Sequence, residues 1–214
     1  MENRAEKSEE FLAPHIALLA VQMFFGTATV LGKFALEAFP PFALVGFRVG
    51  GAALAFYFLQ RFRGSLALER GRDYLEFAFF SFFGVALNQL LFFKGLSLTT
   101  AVNTSLLAVT IPIFTVLISF FIGRERLSRR KILGIALAAA GVMYLINPVK
   151  ASFGAETTWG DILIVLNSLC YASYVAVSKR LISHYGALKS IAWLFIFSSL
   201  INVPVGLVSL REVE

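Results

Sequence analysis

The sequence predicts an all-α integral membrane protein, a polytopic helical bundle. Three observations carry this. The 214-residue chain is 58% hydrophobic and 15% charged, where a soluble domain carries roughly 25% charge. The apolar residues gather in seven runs, each close to the ~20 residues that a helix needs to cross the hydrocarbon core. The basic residues cluster in the short segments between those runs. The runs are too long for barrel strands and lack their period-two alternation.

The runs fall at about 14–33, 40–60, 75–94, 99–122, 132–148, 160–178 and 190–210. Residues 1–13 form a polar segment ahead of the first. That segment carries Glu2, Glu6, Glu9 and Glu10 rather than a basic cluster, so the first run reads as a retained span, not a signal peptide. In the second, Gly46 and Gly50 form a GxxxG pair, and in the fifth Gly134/Ala138 and Ala136/Ala140 repeat the small-residue spacing. Such spacing lets helix backbones approach. Pro112 sits near the middle of the fourth run, where a missing N–H kinks a membrane helix and suits a packed, moving bundle.

The connections orient the chain. Arg61, Arg63, Arg70 and Arg72 follow the second run. Arg124, Arg126, Arg129, Arg130 and Lys131 follow the fourth, and Lys179, Arg180 and Lys189 follow the sixth. The alternate connections carry only Lys33, Lys94 and Lys150. Basic loops stay cytoplasmic, which places the N-terminus in the cytoplasm of a cell-membrane protein and the loop around 154–158 outside.

Several functions are disfavoured. The net charge of +6 lies in loops rather than on a basic face with interleaved aromatics, so no nucleic-acid partner is expected. Cys170 is alone, and His15 and His184 stand at run ends, so neither a metal site nor a disulfide is expected. No glycine-rich nucleotide loop occurs, and no cofactor is expected. A membrane enzyme would need clustered acid/base groups; Glu37, Glu76 and Asp161 lie at run edges and none at mid-span. The same absence argues against proton antiport within these spans.

A weak internal repeat aligns FFGTATVLGKFAL, from Phe24, with CYASYVAVSKRLI, from Cys170, setting Lys33 over Lys179. The copies are five spans apart, so the second is inverted, a plan recurrent in secondary transporters. Lys33 and Lys179, at span ends, read as snorkelling anchors.

The stretch LNQLLFFKGLSLTTAVNTSLLAVTIPIFTVLISFFIGRERLSRRKILGIALAAAGVMYL resembles the end of the first EamA-type domain of the drug/metabolite transporter superfamily. The matching features are Asn88-Gln89, the polar start of the fourth run, Pro112, Glu125 after Gly123, and the helix from Gly134 to Gly141. The turn from Phe39 to Pro41 followed by Arg48 also fits. The resemblance implies ten helices in two inverted five-helix repeats around a central cavity, with both termini cytoplasmic. Residues 14–148 would be the first repeat, and 149–214 the start of the second, about three spans short of the pattern. A chain of this extent would pair with the missing helices or self-associate. Its lack of a glutamate inside the first run separates it from the small four-helix multidrug exporters.

Polar residues inside spans are the candidate site, because they are costly in lipid. Asn167, Tyr171, Tyr174 and Ser178 share one helical face. Asn103 and Thr110 with Thr99, Asn88 with Ser81 and Gln89, and Gln22 with Thr29 supply the others. Gln22, Asn88, Asn103, Thr110, Asn167, Tyr171 and Tyr174 thus predict a solute-binding lining of amides, hydroxyls and aromatic rings. The tyrosines would stack on solute, and Asn103 and Asn167 would orient it. Interhelical bonding is the competing role. Arg48 lies about 12 Å deep at 1.5 Å per residue and, with Pro112, is assigned a structural or gating role. The expected function is secondary transport, as an exporter or facilitator, of small amphipathic metabolites such as amino acids or related compounds across the cytoplasmic membrane. The alternative is a non-transporting remnant or regulatory partner.

Overall fold

The computed structural model describes residues 2–125, 128–146 and 155–211. Among them the chain is helical throughout: α1 Glu2–Ala38, α2 Pro41–Arg63, α3 Gly71–Ser81, a π-helical turn Phe82–Ala86, α4 Leu87–Leu98, α5 Ala101–Leu107, α6 Thr110–Phe121, α7 Arg129–Ile146, α8 Ala155–Tyr185 and α9 Ala187–Arg211. Six helical stretches are long and apolar enough to cross a membrane: His15–Ala38, Pro41–Arg63, Gly71–Leu98, Ala101–Phe121, Glu156–Tyr185 and Ala187–Arg211. The seventh expected span corresponds to α7. Its 18 residues open on Arg129, Arg130 and Lys131, so its apolar part is short of a full crossing among the described residues. Arg126, Leu127, Pro148, Lys150 and Gly154 lie outside the described residues, while residues 155–158 of the expected external loop are instead the first residues of α8.

Local chemistry sets the boundaries. Pro41 begins α2 as its first helical residue, where the missing N–H has no partner to lose. Gly186 separates α8 from α9 with φ of 78°, a left-handed conformation that ends a helix at little cost in glycine. Its N–H donates to the Ile182 carbonyl at 2.9 Å and its own carbonyl accepts from Ser190 N at 3.2 Å. The fourth span breaks between α5 and α6. Pro112 cannot donate to the Ala108 carbonyl, which instead accepts from Ile111 N at 3.0 Å, while Val109 N turns to Leu106 at 3.1 Å. The expected kink is therefore a break of two residues, just ahead of the proline. A second irregularity, unexpected from the continuous apolar run, is the π turn. There Leu87 N reaches back five residues to the Phe82 carbonyl.

Helix packing follows two seams. In the first, α2 lies on α9. A side chain at Gly46 would meet the Asn202 carbonyl at 3.0 Å and Gly206 Cα at 3.1 Å. The GxxxG pair thus brings backbones together, as its spacing predicts. In the second, α3, the π turn and α4 lie along α8. A Cβ at Gly95 would stand 2.9 Å from the Gly160 carbonyl, and one at Gly84 would stand 2.6 Å from the Tyr174 ring. The small-residue stripe of α7 behaves differently from expectation. Nothing approaches Gly134 within 4 Å, so no helix packs closely at that position among the described residues.

The three basic connections meet at one end of the bundle. The 64–70 loop is pinned to the α8–α9 turn. Trp193 Nε1 donates to the Leu66 carbonyl at 2.8 Å, Lys189 Nζ to Ala67 at 3.2 Å, and Glu69 N to Tyr185 Oη at 3.1 Å. Arg124, after α6, donates to the Ala176 and Val177 carbonyls at 3.0 and 3.1 Å. Acids partly neutralise this end. Glu76 pairs with Arg180 at 2.6 Å and Arg72 at 3.3 Å, and Tyr185 donates to Asp73.

Candidate functional site

The predicted site residues separate into four groups. Asn88 and Asn167 are 7% and 5% exposed and bond reciprocally. Asn88 Nδ2 donates to the Asn167 carbonyl at 3.2 Å, and Asn167 Nδ2 to the Asn88 carbonyl at 2.8 Å. Their amide nitrogens serve the α4–α8 seam. Tyr174 also belongs to the seam, for its ring fills the space above Gly84 and meets Phe80 edge-on at 6.3 Å. Asn167 and Tyr174, expected to orient solute and to stack on it, thus both also take part in helix packing. Thr110 is committed as well. Its hydroxyl donates to the Leu107 carbonyl at 2.6 Å, beside the break that Pro112 imposes.

Asn103 belongs to a second cluster, at the end opposite the basic loops. Asp161 Oδ1 accepts from Thr99 Oγ1 at 2.6 Å, and Asn103 Nδ2 lies 3.5 and 3.4 Å from the two Asp161 oxygens. Asp161 lies six residues into the 31-residue α8, level with the C-cap residue Thr99 of α4. Lys33 is not a snorkelling anchor either. Its ammonium donates to the carbonyls of Leu96, Ser97 and Thr99 at 2.7, 3.3 and 2.7 Å. Those are carbonyls at the α4 C-terminus, where a cation offsets the negative end of the helix dipole. Lys33, Thr99, Asn103 and Asp161 therefore tie α1, α4, α5 and α8 together at this end. Charge on Lys33 and Asp161 was visible in the sequence; their convergence was not.

Tyr171 makes the third group. It lies one turn from Asn167 and Tyr174, with its ring 5.8 Å from that of Tyr174, but it keeps 37% exposure. On α8 it stands between the surface that packs on α4, marked by Asn167 and Ser178, and the row Ser168, Ala172 and Ala176, all buried. Both neighbouring spans are irregular: the π turn at 82–86 on one side and the break at 108–109 on the other. Irregular backbone at membrane depth is tolerated where it is buried in protein or lines a cavity, and π turns recur at functional sites.

Gln22, Arg48 and Pro112 form the fourth group, the residues not brought together with the others. Gln22 and Pro112 are exposed. The Arg48 guanidinium stands over the Phe93 ring, 5.5 Å from its centroid, a cation–π contact between α2 and α4. Among the polar residues missed by sequence reading, Asn202 stands out. It is fully buried on α9 in the α2–α9 seam, and both polar atoms of its side chain lack a hydrogen-bond partner. Its position inside an apolar span was a usable signal.

Residues 12–147 match the model of the EamA-like transporter family. The chain belongs to that family. This EamA-like chain is 28% identical over 201 residues to an uncharacterized transporter, YetK, of Bacillus subtilis, covering 92% of the chain and 60% of YetK. It is 26% identical over 199 residues to an uncharacterized transporter of Archaeoglobus fulgidus, covering 91% and 67%. A WAT1-related protein of Arabidopsis thaliana is 23% identical over 228 aligned positions, covering 90% and 59%. The EamA-like chain thus spans about 60–67% of the length of these first relatives. No solved structure matches.

Proposed function

We propose that this chain supplies the first repeat and part of the second of a secondary transporter for small amphipathic metabolites. Residues 14–148 would form that first repeat, a reading supported by the family match over 12–147. The observation that carries the site is Tyr171, a half-open aromatic phenol on α8 flanked by two mid-span irregularities. An aromatic wall with a polar tip suits solutes that are apolar at one end and polar at the other. Amino acids, nucleobases and small organic cations fit this description. Asn103 and Asp161 would then close one end of the path, with Lys33 holding α1 against it. The positive-inside rule puts the basic end in the cytoplasm and the Lys33–Asp161 end outside.

Proteoliposomes test this reading. The chain, with and without the remaining helices its relatives possess, is reconstituted and offered radiolabelled amino acids, nucleobases and quaternary ammonium ions. Flux of at least one class by the extended protein, above protein-free vesicles, is expected. No flux of any class with correctly inserted protein would favour a non-transporting partner instead.

A further inference from the structure

A groove of about 1160 Å³ runs between α2 and α9, away from Tyr171. Its two ends differ in chemistry. Toward mid-membrane its wall is apolar: Gly50, Ala53, Leu54 and Val203. Toward the basic loops it is lined by Arg61, Ser65 and Trp193. Eleven residues of α2 separate Gly50 from Arg61, roughly 16 Å of rise. That is about half of the ~30 Å hydrocarbon core, the depth of one leaflet.

We propose that this groove binds one anionic phospholipid, its acyl chain along Leu54 and Val203 and its phosphate at Arg61. Charge complementarity selects this occupant. The acids nearest this end are taken: Glu69 by His184, Asp73 by Tyr185, and Glu76 by Arg180 and Arg72. Arg61 makes no ion pair among the described residues, which leaves its guanidinium open to an external anion. Ser65 adds a second donor. Its oxygen accepts from Ala67 N at 3.0 Å, leaving the hydroxyl proton to give. The turn that presents both is held by Gly64 N on the Gln60 carbonyl at 2.9 Å and by Gln60 Nε2 on the Ser65 carbonyl at 3.4 Å. Trp193, fixed through its Nε1 on Leu66, forms the wall at headgroup level, where tryptophan is favoured. The apolar wall is exposed at Leu54, and a bilayer covers such a face with hydrocarbon.

Trp193 itself reports on occupancy. The sequence holds two tryptophans, and Trp159→Phe leaves only Trp193. The variant is placed in phosphatidylcholine nanodiscs containing either acyl-brominated phosphatidylglycerol or acyl-brominated phosphatidylcholine at equal mole fraction, and fluorescence quenching is titrated. Phosphatidylglycerol should quench at about fivefold lower mole fraction, the ratio that corresponds to ~1 kcal/mol from one basic residue at the surface. Arg61→Gln should remove the difference, and Arg63→Gln, outside the groove lining, should keep it. Equal quenching by the two lipids, a preference that survives Arg61→Gln, or a Trp193 that neither lipid quenches because protein fills the groove would each overturn the proposal.

Discussion

The α2–α9 and α4–α8 seams achieve close approach by different means. Between α2 and α9 the contact is shape alone. Gly46 and Gly206 face each other, so that a Cβ on Gly206 would lie 2.9 Å from Gly46 Cα. Between α4 and α8 glycines also meet, at Gly95 and Gly160, but directional bonds flank them: the reciprocal amides of Asn88 and Asn167, and Thr99 on Asp161. A shape-only seam resists separation yet leaves register to packing. A bonded seam fixes register, since sliding by one residue breaks every bond. The irregular turns and Tyr171 lie beside the bonded seam. The difference indicates which part of the bundle holds position and which part can be built around a solute.

Substitutions separate the two kinds of seam. The largest effect is expected at Gly46. Leucine there collides with backbone, which cannot move aside, so Gly46→Leu should cost at least the ~1–3 kcal/mol of overpacking and reduce folded protein. Denaturant titration in detergent measures this, and an unchanged midpoint would remove close packing from the α2–α9 account. Next is Lys33→Met, which removes three hydrogen bonds from the end of α4. A loss of roughly 1–3 kcal/mol is expected from carbonyls left without their cation. Lys33→Arg should recover part of it, whereas full tolerance of methionine would restore the surface-anchor reading.

Smaller effects sharpen the comparison. Asn88→Leu and Asn167→Leu should each cost on the order of 0.6–2 kcal/mol. Each amide bonds the other residue's backbone, not its side chain. The double variant should therefore be additive to within about 0.5 kcal/mol, and strong coupling would mean that the side chains meet directly. The smallest effect is expected at Gly134→Leu. No atom approaches that position within 4 Å, so stability of this chain should not change. A clear loss would reveal a partner at the Gly134 face of α7.

The membrane class, most helix limits and the Gly46 seam were legible because each depends on local composition or on a spacing along one helix. The break at 108–109 was half legible. Pro112 announces a kink, but which carbonyl is rescued depends on Thr110 turning back to Leu107. The π turn left no mark in an unbroken apolar run, since it answers to Tyr174 packing on Gly84 from another helix. The polar faces were legible as faces but not as functions. Asn167 and Tyr171 are four residues apart and look equivalent in sequence, yet only the partner helix decides that one is consumed and the other left open. The Lys33–Asp161 cluster was missed for the same reason. Lys33, Thr99 and Asp161 are far apart in the chain, and their meeting is a property of the tertiary fold.

The claim that a solute path runs along α8 at Tyr171 is tested most directly by flux. The extended protein is reconstituted as wild type, Tyr171→Ala and Leu166→Ala, and initial rates are compared for a solute that the wild type carries. Leu166 is an exposed residue on another side of the same helix. Tyr171→Ala should lower flux about tenfold or more, the effect of losing ~1.4 kcal/mol at the rate-determining step, with insertion and unfolding midpoint unchanged. Leu166→Ala should stay within about twofold on the same scale. Wild-type flux in Tyr171→Ala, or an equal loss in both variants, would contradict a path at this face.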